Sequence, residues 1–163
     1  MGENNTQKLF VLIGVPGSGK STLACEMIEM LEDNTVHISR DSVRSEIGDR
    51  TYSKHSEKKV YREYVSRIAT ALKLGYDVIA DSTNLTKEKR NIYFAICEAL
   101  SKAKLAEVDI IGIFVSTPLT LCLERNSDRC GDARVPDSVI EDMHSKIEEP
   151  SYTEGFKIIL NKN

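Results

Sequence analysis

Gly14-Val-Pro-Gly-Ser-Gly-Lys-Ser21 is the stretch on which the fold turns. It has the spacing G-x-x-x-x-G-K-[ST], follows the apolar run Leu9-Phe-Val-Leu-Ile13, and leads into Thr22-Leu-Ala-Cys-Glu-Met-Ile28, which reads as helix. Strand, glycine-rich turn and helix form the context in which this spacing cradles a polyphosphate. The glycines reach backbone conformations that aim successive N–H groups into one concavity. The following helix adds its positive dipole end. Gly14, Pro16, Gly17, Ser18, Gly19, Lys20, Ser21 and Thr22 are therefore the candidate ATP-binding residues. Lys20 is expected to reach the β- and γ-phosphates, and Ser21 to offer its hydroxyl to Mg²⁺.

A chain of 163 residues with 40% hydrophobic content can bury a real core, so one domain over 1–163 is expected. No apolar run approaches the roughly 18–20 residues of a membrane span. Met1 to Lys8 is polar and lacks the apolar centre of a secretion signal, which points to a cytoplasmic protein without a membrane partner. Cys25, Cys97, Cys122 and Cys130 form no C-x-x-C pair, and the first three fall on helical patterns. They read as reduced packing residues rather than a zinc site or disulfides. His37, His55 and His144 show no ligand spacing, so no metal is expected beyond the nucleotide's Mg²⁺. The net charge of -3 argues against non-specific duplex binding, yet basic residues outnumber acidic ones from Arg40 to Lys73.

Apolar runs separated by helical stretches predict an α/β fold, a parallel sheet with helices on both faces. The second strand, Thr35 to Ser39, carries His37 between Val36 and Ile38, a packing position. Its carboxyl end opens Ser39-Arg-Asp-Ser-Val-Arg44. Ligands of open α/β sheets bind at that edge, so Asp41 is a candidate general base or Mg²⁺-shell carboxylate. Capping of the next helix by Asp41 and Ser42 is a second use of the same residues. A long helix from Lys54 to Leu74 should bury Val60, Tyr64, Val65, Ile68, Ala71 and Leu72, with Lys58, Lys59, Arg62 and Arg67 outside. Tyr52, Tyr61 and Tyr64 are interleaved with that basic face and could stack on bases or pack.

The third strand ends in Asp81, the place of a Mg²⁺-orienting carboxylate, and Ser82-Thr83-Asn84 supplies either ligand contacts or a turn and helix cap. The helix from Thr86 to Lys102 should turn Ile92, Ala95, Ile96, Ala99 and Leu100 inward. After a fourth strand, Glu107 to Val115, Thr117-Pro118 starts a helix bearing Arg125 and Arg129 one turn apart. The break Cys130 to Pro136 and a returning helix to about Glu149 complete a lid, centred on 125–136. Closing it would bring both arginines onto the phosphates. Phe156 to Leu160 is the last strand.

The ordered set of phosphate loop, S-R-D-S-V-R at 39–44, D-S-T-N-L at 81–85, R-N-S-D-R at 125–129 and V-P at 135–136 resembles the 5′-kinase domain of the phage-type polynucleotide kinases, within the P-loop kinase superfamily. The likeness runs from Lys8 to about Tyr152. It implies sheet order 2-3-1-4-5, ATP with Mg²⁺, transfer to 5′-hydroxyl ends of DNA or RNA, and assembly as a homo-oligomer. It also implies roles: Asp41 as general base, Arg44 holding the acceptor's 3′-side phosphate, Asp81, Thr83 and Asn84 shaping the acceptor site, and Lys20, Arg125 and Arg129 on the transferred phosphate. The third motif departs from the family's S-D-T-N, since the carboxylate is displaced by one residue and a one-residue slip reverses the face. No D-x-D-G-T run is present, so no phosphatase activity is expected. Two other readings fit the same residues: a kinase for a nucleotide, sugar or antibiotic, and a nucleotide-binding switch with little catalysis.

Overall fold

The structure, a computed structural model, describes residues 6–31, 34–48 and 53–163. The expectation for Tyr52 lies outside the described residues. β1 (Gln7–Ile13), β2 (Thr35–Ser39), β3 (Asp77–Asp81), β4 (Val108–Val115) and β5 (Ile158–Lys162) form one parallel sheet in the order β2-β3-β1-β4-β5. The helices are α1 (Lys20–Met30), α2 (Arg40–Ile47), α3 (Lys54–Lys73), α4 (Lys87–Lys102), α5 (Leu119–Ser127) and α6 (Asp137–Ser145).

Strand parity sorts the core into two layers, because successive side chains leave a strand on opposite faces. Leu9, Val11 and Ile13 pack with Val78 and Ala80 against Val60, Tyr64, Ile68 and Leu72 of α3 and Tyr93, Ile96, Cys97 and Leu100 of α4. Phe10, Leu12, Ile79, Ile111 and Ile113 face the other way, onto Ala24 and its neighbours on α1. Each fully buried aliphatic chain contributes roughly 1.5–3 kcal/mol. A third cluster, Val15, Leu85, Cys122 and Ile140, lies beneath α5 and α6.

Several local expectations shift. On α4 the inward face is Arg90, Tyr93, Ile96, Cys97 and Leu100, while Ala95 and Ala99 are exposed. Small apolar residues tolerate either face of an amphipathic helix, so the sequence pattern alone misplaced the stripe. Cys97 and Cys122 are buried packing residues, but Cys25 and Cys130 are exposed. Pro118 stands at the N-cap of α5 rather than inside it, and α6 ends at Ser145 instead of near Glu149. Tyr64 is a core residue whose hydroxyl shares a hydrogen bond with that of Tyr93 at 3.0 Å, so it offers no face for stacking.

Candidate active site

The carboxyl ends of β1, β2 and β3 converge where the phosphate loop passes into α1. The loop owes its path to two left-handed glycines. Gly17 has φ 82, and a Cβ there would lie 2.4 Å from the Cys122 carbonyl oxygen. Gly19, φ 100, is the N-cap of α1. The back of the loop is braced by the segment after β4: Thr117 Oγ1 donates to Ser18 O at 2.7 Å, and Arg125 Nη1 lies 3.4 Å from the carbonyl oxygens of Gly17 and Ser18. Lys20 is buried and curls over its own loop, donating to Val15 O at 2.8 Å. Burial pushes its pKa down to about 8; Asp81 and Asp41 pull it upward and Arg129 adds to the depression. Asp81, Asp41 and Arg129 are thus each near enough to act on the Lys20 ammonium.

Asp81 is 5% exposed, and its Oδ2 accepts from Ser21 Oγ at 3.2 Å and meets His37 Nε2 at 3.1 Å. The register Ser39↔Asp81 and His37↔Ile79 puts His37, Ser39 and Asp81 on the α1 face of the sheet. Asp81 thus turns to the phosphate-loop side. The displaced carboxylate of the third motif has a physical consequence, since an acid one position later would point to the opposite face. His37, assigned to packing from its apolar neighbours, was missed as a partner of Asp81. The signal was its parity with Ser39 at the strand end. Ser21 and Asp81 together offer the hard oxygen donors that suit Mg²⁺. Among the described residues no cluster of three or more His, Cys, Asp or Glu side chains that could hold a metal ion occurs.

Asp41 lies in the first turn of α2, which is capped by Ser39, whose Oγ accepts from Ser42 N at 3.4 Å. Its side chain is 90% exposed and is held on one oxygen by Arg44 Nη1. Arg44 also donates from Nε and Nη2 to Glu57 at 2.8 and 3.2 Å, and Arg40 Nη2 reaches the same carboxylate at 2.8 Å. Hydrogen bonding to Glu57 raises the Arg44 pKa, and Arg44 in turn lowers that of Glu57. Glu57, on α3, is a second residue the sequence reading did not find. Nothing in one chain's pattern links it to Arg40 and Arg44 thirteen or more positions away.

Asn84, expected at the acceptor, spends its side chain inside the fold. Nδ2 donates to Leu12 O at 2.7 Å, Oδ1 accepts from Tyr93 Oη at 2.7 Å, and the backbone is left-handed at φ 49. With both ends of the amide engaged, it aligns the loop after β3 with the end of β1. Thr83 contributes its carbonyl to Gly14 N at 3.0 Å and keeps a half-buried side chain. Behind them Arg90, wholly buried, forms a two-point bond to Glu154 at 2.8 Å and donates from Nη1 to Asn84 O and Glu148 O. In the expected lid, Arg125 is on α5 and Arg129 follows its last turn. Asn126 between them is fully buried, exchanging bonds with Val135 in both directions (2.6 and 3.0 Å) and donating to Asp137 at 3.0 Å.

Comparison with known proteins bears on the family and the fold. An L-seryl-tRNA(Sec) kinase of Methanococcus maripaludis is 29% identical over 151 residues, covering 87% of this chain and 53% of the relative. The protein kti12 of Schizosaccharomyces pombe is 31% identical over 157 residues, covering 88% and 52%. The chain spans about half the length of these curated relatives. A chain of a solved RNA repair complex superposes with TM-score 0.66 at 29% identity, covering 90% of this chain and 46% of that one. A fungal RNA kinase (TM-score 0.66, 16% identity, 96% and 74% covered) and a sugar kinase from Janibacter (0.65, 17%, 96% and 85%) share the fold. A family described as AAA domain matches residues 9–150. That span takes in the sheet from β1 to β4, the phosphate loop and the arginine-bearing segment, and so the chain belongs to the AAA domain family and has the fold of the P-loop kinases.

Proposed function

We propose that the protein transfers the γ-phosphate of ATP to the 5′-hydroxyl of a DNA or RNA end. The observation that carries this reading is Asp41, an exposed carboxylate held by Arg44 in the first turn of α2, directly after the strand end where Ser39 lies beside Asp81. A general base must be reachable by the acceptor hydroxyl and kept in place, and Asp41 meets both conditions. It takes the hydroxyl proton as the acceptor oxygen bonds to Pγ and the bond from Pγ to the β,γ-bridging oxygen breaks, releasing ADP. The phosphate-loop amides and Lys20 hold the donor, and Arg125 and Arg129 offset charge on the equatorial oxygens. Ser21 and Asp81 would hold Mg²⁺, which neutralises β- and γ-phosphate charge when bound. His37 orients Asp81, and Glu57 orients Arg44 toward the acceptor's 3′-side phosphate. The likeness to an RNA repair chain at 29% identity and to a kinase of a charged tRNA supports a nucleic-acid acceptor.

A kinase for a small metabolite is the second reading, favoured by one observation: Arg44 already meets two carboxylates, Asp41 and Glu57. Incubation with γ-labelled ATP, Mg²⁺ and 5′-hydroxyl oligonucleotides decides between them. Label should appear on the oligonucleotide and on a 3′-phosphorylated mononucleoside. Folded protein that labels neither, but does label a sugar or nucleoside lacking the phosphate, establishes the second reading.

A further inference from the structure

Around its axis α3 carries three different surfaces. Toward the sheet it buries Ser56, Val60, Tyr64, Ile68 and Leu72. On one flank Glu57 holds Arg40 and Arg44 beside Asp41. Facing away from the core, His55, Lys58, Lys59 and Arg62 line a surface groove of about 610 Å³ together with Ile47 at the end of α2. Their spacing of three and four residues stacks them on one helical stripe.

The charges in this groove are disposed unlike those beside it. Arg40 and Arg44 have Glu57, and Arg67 has Glu63 and Glu46. Lys58, Lys59 and Arg62 are exposed and make no ion pair among the described residues. Glu63 is the acid in the groove lining, and it is bonded to Arg67 at 2.8 Å. Lys58 and Arg62 stand at i,i+4, where like charges disfavour the helix unless an anion lies between them.

We infer that this groove holds backbone phosphates of the acceptor strand beyond its reacting end, so that the substrate is a strand several nucleotides long. The inference rests on the kinase reading of the Asp41 site. Lys58 follows Glu57 directly, so the groove begins on the same turn of α3 that positions Arg44. One turn after Glu57 comes Tyr61, 38% exposed with the Arg40 guanidinium 5.6 Å over its ring, an aromatic side chain of the kind on which bases stack. At about 1.5 Å of rise per residue Lys58 to Arg62 spans about 6 Å. That length matches about three phosphates, two steps of about 3.4 Å, along one stacked strand. Lysine and arginine contacts of this kind position a strand without reading its bases. A concave lining favours a strand over a flat anionic membrane.

The test is the variant Lys58→Ala/Lys59→Ala/Arg62→Ala, whose exposed positions leave the core intact. Fluorescence anisotropy and kinase kinetics are measured on a 5′-hydroxyl oligonucleotide about twelve nucleotides long and on a 3′-phosphorylated mononucleoside, across a range of salt. Expected are a loss of roughly tenfold or more in oligonucleotide Kd and KM and a salt slope shallower by about 2, three phosphates at about 0.7 each. The mononucleoside kcat/KM should not change. Unchanged oligonucleotide affinity, or equal loss for both acceptors, overturns the inference. So does a variant that loses binding to phosphatidylserine vesicles but keeps the oligonucleotide. If the wild type binds the oligonucleotide and the variant does not, yet neither acceptor is phosphorylated, the groove stands and the kinase reading falls.

Discussion

Lys20 carries a pH signature that belongs to the nucleotide site. Burial holds its pKa near 8, against about 10.4 for an unfolded lysine. Between those values the unfolded chain binds the extra proton, so stability without nucleotide should rise as pH rises through that window. A triphosphate beside the ammonium restores the charge. ATP affinity should therefore weaken as pH rises above about 8, with proton uptake on binding; calorimetry in buffers of different ionisation enthalpy measures this. Lys20→Met should remove both effects, and an ATP affinity flat from about pH 7 to about pH 9 would show that Lys20 does not meet the phosphates. Asp41→Asn is expected to lower kcat by roughly 10²–10⁴ while the Kd for ATP stays put, since Asp41 is exposed and outside the loop. A variant with unimpaired turnover would remove Asp41 from the base role.

At the scale of elements, two buried polar groups tie loops to the site. Asn126 fastens the end of α5 to Val135 and Asp137, across the break expected to form a lid. Asn126→Ala leaves buried partners unpaired and should cost about 2–3 kcal/mol in denaturant unfolding. Arg125→Ala with Arg129→Ala, both exposed, should instead lower kcat by about 10²–10³ with little change in stability. A kcat left intact by both arginine changes would refute the phosphate clamp. Arg90 links α4 to Glu154 and to the carbonyls of Asn84 and Glu148. Burial works against the Glu154 carboxylate, but the Arg90 hydrogen bonds leave its pKa below the usual range. A lowered carboxylate pKa gives stability that is present above about pH 4.3 and fades as pH falls through the folded value. Arg90→Met should cost about 3–5 kcal/mol near neutrality, with the deficit shrinking in acid. Adding Glu154→Met should recover most of the loss; failure to recover would mean that the carbonyl bonds, not the ion pair, dominate.

For the whole molecule, ligand linkage is the broadest check on the donor site. Mg²⁺ with ATP at a hundred times its Kd should stabilise the fold by about 2.7 kcal/mol, a rise of about 5–10 °C in Tm. No shift would refute nucleotide binding. Much of this molecule was legible in one dimension. Gly14 to Ser21 determined the phosphate loop, because glycine spacing and a following helix are local chemistry. Continuous apolar runs such as Leu9 to Ile13 determined a buried parallel sheet, because a strand covered on both faces has no polar side. Only the tertiary structure decided which groups meet across that sheet. Strand register brought His37 to Asp81 and turned Asp81 toward Ser21. The packing of α2 on α3 brought Glu57 to Arg44, and the loop after β3 drew Asn84 inward to Leu12 and Tyr93. These contacts join residues far apart in the chain, and no local preference encodes which distant partner a polar side chain will satisfy.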